Sequence, residues 1–122
     1  MAFISSSTFT RLVDSIYIDR NSNATSQTNI TGAAATFYGA EVDNRLNQDN
    51  PVFLKLYDTG SATNNTAPTI VLYVPPASIG RFVFPEGVSF ATALTVLVTA
   101  TAATSTTAKN PANRVITKLL AA

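Results

Sequence analysis

The sequence predicts an all-β chain: a single antiparallel β-sandwich, jelly-roll-like or immunoglobulin-like, with a polar N-terminal arm. Three observations carry this. Apolar and polar residues alternate with a period of two in several short runs, the signature of half-buried strands. The runs are filled with β-branched and aromatic residues, which suit a pleated surface. Turn residues punctuate them at short intervals, the spacing of a sandwich or barrel. A length of 122 residues leaves room for one domain, and 46% hydrophobic residues suffice for a core.

Residues 1–12 read as the arm and 13–122 as the sandwich. Ser5-Ser6-Ser7-Thr8 cannot form a core strand, yet Phe3, Ile4 and Phe9 are costly to leave in water. Burying one such side chain is worth about 1.5–3 kcal/mol, so these three are the candidate partner-contacting residues of the arm. A first strand is expected at 13–19 and a weak one at 29–31. Thr36–Asp43 places Tyr38, Ala40 and Val42 on one face, with Glu41 and Asp43 on the other. Val52–Tyr57 turns Val52, Leu54 and Leu56 inward and Lys55 outward. Pro75-Pro76-Ala77-Ser78 separates strands at 69–74 and 79–84. Pro85-Glu86-Gly87 reads as a turn, leaving a short strand at 88–91. Leu94, Val96 and Val98 face away from Thr95 and Thr99 in a strand at 93–99, and 114–120 closes the domain. A helix has room only at Ala33–Ala35 or within Ala100–Ala108, where Thr and Ser are mediocre helix formers. The expected core is Tyr38, Val42, Val52, Leu54, Leu56, Ile70, Leu72, Phe82, Phe84, Phe90, Leu94, Val96, Val98, Val115 and Leu119.

Absences narrow the chemistry. The chain has no Cys, His or Trp, which removes disulfides, thiolate chemistry, zinc sites built on Cys or His, and Ser–His–Asp triads. Charged residues are 12%, against about 25% in ordinary soluble domains. A net charge of +1 supplies no strong field, so neither nucleic acid nor membrane is an expected partner. Met1–Phe9 lacks the basic residues and apolar run of a signal peptide. Phe90–Ala103 is interrupted by four threonines and falls short of the roughly 20 apolar residues that span a bilayer. Asn23, Asn29 and Asn64 head glycosylation-type triplets, which chance explains in a chain so rich in Asn and Thr.

The acid–base candidates are carboxylates: Asp14, Asp19, Glu41, Asp43, Asp49, Asp58 and Glu86. Glu41 and Asp43 project from one strand face. Paired carboxylates about 5–9.5 Å apart can hydrolyse glycosidic bonds, but no Trp is present to stack on a sugar. The plainer reading is a solvated face paired with Lys55 or Arg45. Asp43, Asn44, Asn47, Asp49 and Asn50 gather hard oxygen ligands of the kind calcium takes. Their spacing matches no EF-hand, and Asn and Asp are the ordinary residues of turns. Phe82 and Phe84 alternate as base-stacking aromatics do, yet only Arg81 is near, and a core role fits better. No catalytic residue, cofactor or metal is expected. A surface of Thr, Ser, Asn and Gln does little to block sheet-edge pairing and suits an assembly subunit. A homo-oligomer follows, a trimer ahead of a dimer.

Four segments carry a resemblance. They are Phe37-Tyr38-Gly39-Ala40-Glu41-Val42-Asp43-Asn44, Asn50-Pro51-Val52-Phe53-Leu54-Lys55-Leu56-Tyr57-Asp58, Thr69-Ile70-Val71-Leu72-Tyr73-Val74-Pro75, and Phe84-Pro85-Glu86-Gly87-Val88-Ser89-Phe90-Ala91-Thr92-Ala93-Leu94. In this order the chain resembles small virion proteins of tailed phages, often from marine and freshwater viruses, cyanophages included. The resemblance covers residues 36–120. It departs at Ala93, where that family often has Gly, and the first 35 residues have no counterpart in it. The shared positions are strand core and turns, so they imply a shared fold more than a shared role. They imply a capsid-surface or tail-associated structural protein and carry over no catalytic residue.

Three readings follow. The first is a head decoration (cement) protein on the outer capsid surface, made in the host cytoplasm. Its partner would be the major capsid protein, gripped by the arm. The second is a tail fibre or receptor-binding module that binds through the loops 58–68 and 100–112. The third is a small hydrolase using Glu41 and Asp43.

Overall fold

The computed structural model describes residues 15–104 and 109–122. It is all-β: β1 (Ser15–Ser22), β2 (Ala35–Asp43), β3 (Val52–Asp58), β4 (Ile70–Val74), β5 (Ile79–Phe90), β6 (Leu94–Thr99) and β7 (Val115–Ala121). Neither stretch weighed for a helix forms one among the described residues. The arm lies outside them, Phe3, Ile4 and Phe9 included.

Two antiparallel sheets form, with strand orders β1-β7-β2-β5 and β4-β3-β6. The pairs nest. β3 pairs with β4, β2 with β5, and β1 with β7, each pair enclosing the one before. Between the last two sits a single antiparallel bridge, Gln27 to Val96 of β6. The chain is thus one two-stranded ribbon folded over itself, the connectivity of a jelly roll. Its eighth strand has shrunk to that bridge. Composition explains why: Asn21–Thr28 is polar except for Ala24, and only Ile30, just beyond it, packs against the core. The weak strand expected at 29–31 survives as two backbone bonds at Gln27 and one from Ile30 N–H to the Leu94 carbonyl.

The core fills the space between the sheets. Val42, Val52, Leu54, Leu56, Leu72, Phe90, Leu94, Val96, Val98, Val115 and Leu119 are buried as expected, and Ile70, Phe82 and Phe84 pack against them. Tyr38 is a correction. It is only half-buried, while Ala35 and Phe37 point inward before it and Ala40 and Val42 after it. A β-bulge causes this: against β7, Phe37 pairs with Ala121 but Gly39 with Leu120, so β2 carries one extra residue, and on its other side β5 skips from Val88 at Phe37 to Val83 at Gly39. Extra residues in one strand reset which side faces the core.

The residues that β5 skips include Pro85-Glu86-Gly87, so the turn expected there is a bulge inside one continuous strand. The strands expected at 79–84 and 88–91 are both part of β5. Proline tolerates the site because it has no N–H to give a ladder. Gly87 has φ of 76°, and a Cβ there would collide with Thr36 and Tyr38. The bulge leaves Phe37 in contact with Phe84 and Phe90, ring centroids 5.5 and 6.3 Å away.

A further correction concerns Lys55, expected outside and found fully buried. Thr95 and Thr99 are buried as well, so β6 is enclosed on both sides. Loops fold over the outer side of this sheet. Ala62 packs with Tyr57 and Leu97. Thr95 Oγ1 donates to the Thr59 carbonyl at 2.5 Å, and Thr99 Oγ1 to that of Thr101 at 2.5 Å. Lys55 Nζ donates to the Ala103 carbonyl at 2.8 Å, and burial pulls its pKa down. Thr101 and Ala103 of the Ala/Thr-rich loop therefore help to cover this side of the sheet.

Candidate functional site

The carboxylates come first, as the acid–base candidates. Glu41 sits on the outer face of β2, bonded to Arg81 at 3.0 Å, with Lys118 at 3.8 Å. Asp43 holds the Arg45 guanidinium through bonds of 3.0 and 2.8 Å. That guanidinium keeps the Asp43 carboxyl below the usual carboxylate range. Arg45 is thus one of the two partners expected, whereas Lys55 belongs to the other sheet.

The Asn-rich loop after β2 is a structural knot. Asn44 and Asn47 are buried. Asn44 Nδ2 donates to the Asn50 and Pro75 carbonyls, both at 3.0 Å. Asn47 Nδ2 donates to Asn44 Oδ1 at 2.9 Å and to the Asn113 carbonyl at 3.1 Å. Asn47 Oδ1 accepts from Asn113 N–H at 2.8 Å. Two side chains thereby fasten three crossings at one end of the sandwich. Among the described residues, no cluster of three or more His, Cys, Asp or Glu could hold a metal.

Asp58 has a job the sequence did not disclose. It ends β3 and accepts backbone N–H bonds from Ala91, Thr92 and Ala93 at 3.2, 2.8 and 3.3 Å. It thereby caps the corner between β5 and β6. The Thr92 bond foremost, then those of Ala93 and Ala91, hold its carboxyl below the ordinary 3.8. A lowered folded pKa contributes stability in full above the unfolded value and loses it as pH falls through the folded one. The unfolding midpoint in urea should therefore drop as pH falls below about 4. Asp58→Ala should lower the midpoint at neutral pH and flatten that acid limb. An identical acid limb in the variant would remove this role.

Among the described residues, the outer face of the four-stranded sheet is left uncovered. Strand register sets its rows. One row runs Ile18, Lys118, Glu41, Arg81. A second runs Ile16, Leu120, Gly39, Val83. A third holds Ile116, Asp43 and Ile79, with Arg20 beside them. Ile16, Ile18 and Val83 are 60%, 52% and 72% exposed, although β-branched side chains of this size are commonly buried. Among the described residues of the opposite sheet the edge strand β4 stays open, with Tyr73 against Phe53 at 5.4 Å between ring centroids. At the flank where the eighth strand is reduced to a bridge, a cavity of about 310 Å³ opens between β1 and β6, lined by Tyr17, Ile30, Leu54, Val96 and Leu119.

Sequence reasoning missed this face. The signal was present: Ile16 and Ile18 lie at outward positions in β1, and Arg114, Ile116, Lys118 and Leu120 alternate outward in and before β7. No family model, curated protein or solved structure matches the chain.

Proposed function

We propose that the chain is a structural protein of a phage virion, a head decoration (cement) protein. It sits on the outer capsid surface and bridges neighbouring major capsid subunits. The observation that carries this is the open four-stranded face, with Ile16, Ile18 and Val83 in solvent on a chain otherwise poor in surface charge. A face of that kind is suited to burial against another protein. The resemblance of residues 36–120 to phage virion proteins supplies the setting. Jelly rolls serve capsids, lectins and cupins alike, so the architecture by itself decides nothing.

The receptor-binding alternative needs free loops. Here Ala62, Thr59, Thr101 and Ala103 of those loops cover the second sheet, which favours the cement reading. In that reading the arm, through Phe3, Ile4 and Phe9, grips the capsid, and the chain works as a homo-oligomer.

The test is saturation binding of the purified chain to capsids that lack it. Hundreds of copies per particle are expected, and deletion of residues 1–12 should leave the sandwich folded while cutting binding sharply. Tens of copies would favour the fibre, and no binding would overturn both.

A further inference from the structure

The charge of the chain is unevenly placed. Of eight cationic residues, five lie on or at the rim of the open four-stranded face: Arg20, Arg45, Arg81, Arg114 and Lys118. Among the described carboxylates only Glu41 and Asp43 share it, so the described residues of the face carry +3 on a chain of net +1. Arg45, Arg81 and Lys118 are engaged by those two carboxylates. Arg20 and Arg114 are exposed and meet no carboxylate among the described residues.

We propose that this face docks an acidic, partly apolar surface of another protein. Two demands must be met at once. The guanidinium groups of Arg20 and Arg114, which meet no carboxylate among the described residues, call for carboxylates, which they hold in a fork of parallel bonds. Ile16, Ile18 and Val83, exposed between and beside the cations, call for apolar side chains. A nucleic acid answers the first demand alone. Its phosphates would meet Glu41 and Asp43 in the middle of the face, and its backbone offers nothing to the isoleucines. A second copy answers the second alone, because two such faces would set +3 against +3, a juxtaposition that like charges penalise. A protein surface bearing both carboxylates and apolar residues satisfies both. This assignment does not rest on the virion reading and holds in any setting.

The test is a titration of the isotope-labelled chain, followed by amide shifts, with three probes at low salt. They are a peptide of alternating glutamate and valine, an all-glutamate peptide of equal charge, and a DNA duplex of matched charge. The alternating peptide should bind at least tenfold tighter than the other two and shift β1, β7 and β2. The double variant R20E/R114E reverses the face to −1, and both sites are exposed, so the remaining spectrum should stay in place while binding falls at least tenfold. Tighter binding to DNA would overturn the proposal, as would shifts confined to β4 or an unchanged affinity in the variant. Self-association that R20E/R114E abolishes would assign the face to a second copy instead. A cement protein whose capsid binding ignores R20E/R114E would keep its proposed function and lose this face.

Discussion

Replacing Phe37 with alanine should lower the unfolding free energy by about 3–5 kcal/mol, the range for emptying a buried aromatic site. Phe37 is fully buried at the bulge, between Phe84 and Phe90. β2 is hydrogen-bonded on both sides, to β5 and to β7, so the backbone cannot settle into the space left behind. A site that cannot collapse pays the upper part of that range. Phe37→Leu should recover most of the loss, because it keeps much of the volume. Tyr38→Ala should cost clearly less than Phe37→Ala, whereas uninterrupted alternation through Tyr38, Ala40 and Val42 demands the reverse order. Urea unfolding of the three variants decides between these orders.

The second large effect is expected at Asn47, a position without any apolar surface to lose. Asn47→Ala removes three hydrogen bonds at once and strands Asn44 Oδ1, itself in a buried residue. Each buried polar group left without a partner costs about 1–3 kcal/mol. Part of the Asn113 backbone can turn to water, which brings the expected loss to about 2–4 kcal/mol. Asn47→Asp should not rescue it, because a carboxylate would face Asn44 Oδ1 and the Asn113 carbonyl with no proton to offer. Amide exchange at Asn113 should speed up in both variants, and Asp49→Ala, at an exposed position of the same loop, should leave stability nearly unchanged. Equal stability of Asn47→Ala and the parent chain would show that the knot holds nothing.

Period-two patterning was enough to find the strands and most of the core, because inward residues such as Leu54, Leu72 and Val98 are set by local alternation. Alternation fails where a residue's neighbours come from elsewhere in the chain. Pro85-Glu86-Gly87 looks the same whether it ends a strand or bulges it, and the strand opposite decides. Lys55 occupies an outward position by pattern, and only the distant Ala103 segment buries it. The open face was hidden for a third reason. Net charge adds Arg20, Arg81 and Lys118 to remote carboxylates without regard to place, and register is what brings these cations together. The motifs of the virion resemblance mark β2, β3, β4 and the second half of β5, whereas the face draws its cations and isoleucines largely from β1 and β7, outside the quoted segments.

The nested pairing also sets an order of events when the chain is made. The β3–β4 hairpin can close as soon as its own loop exists, and β2 finds β5 soon after. β1 is synthesised first among the strands, yet its register partner for Ser15 is Ala121, in the last strand. Until β7 emerges, β1 is an unpaired edge with Ile16 and Ile18 on one side and Tyr17 on the other. Such an edge is open to the wrong neighbour throughout translation, most of all where many copies are made together. Two neighbouring nascent chains could exchange β7 before either has closed its own ribbon, giving a swapped pair built from native contacts.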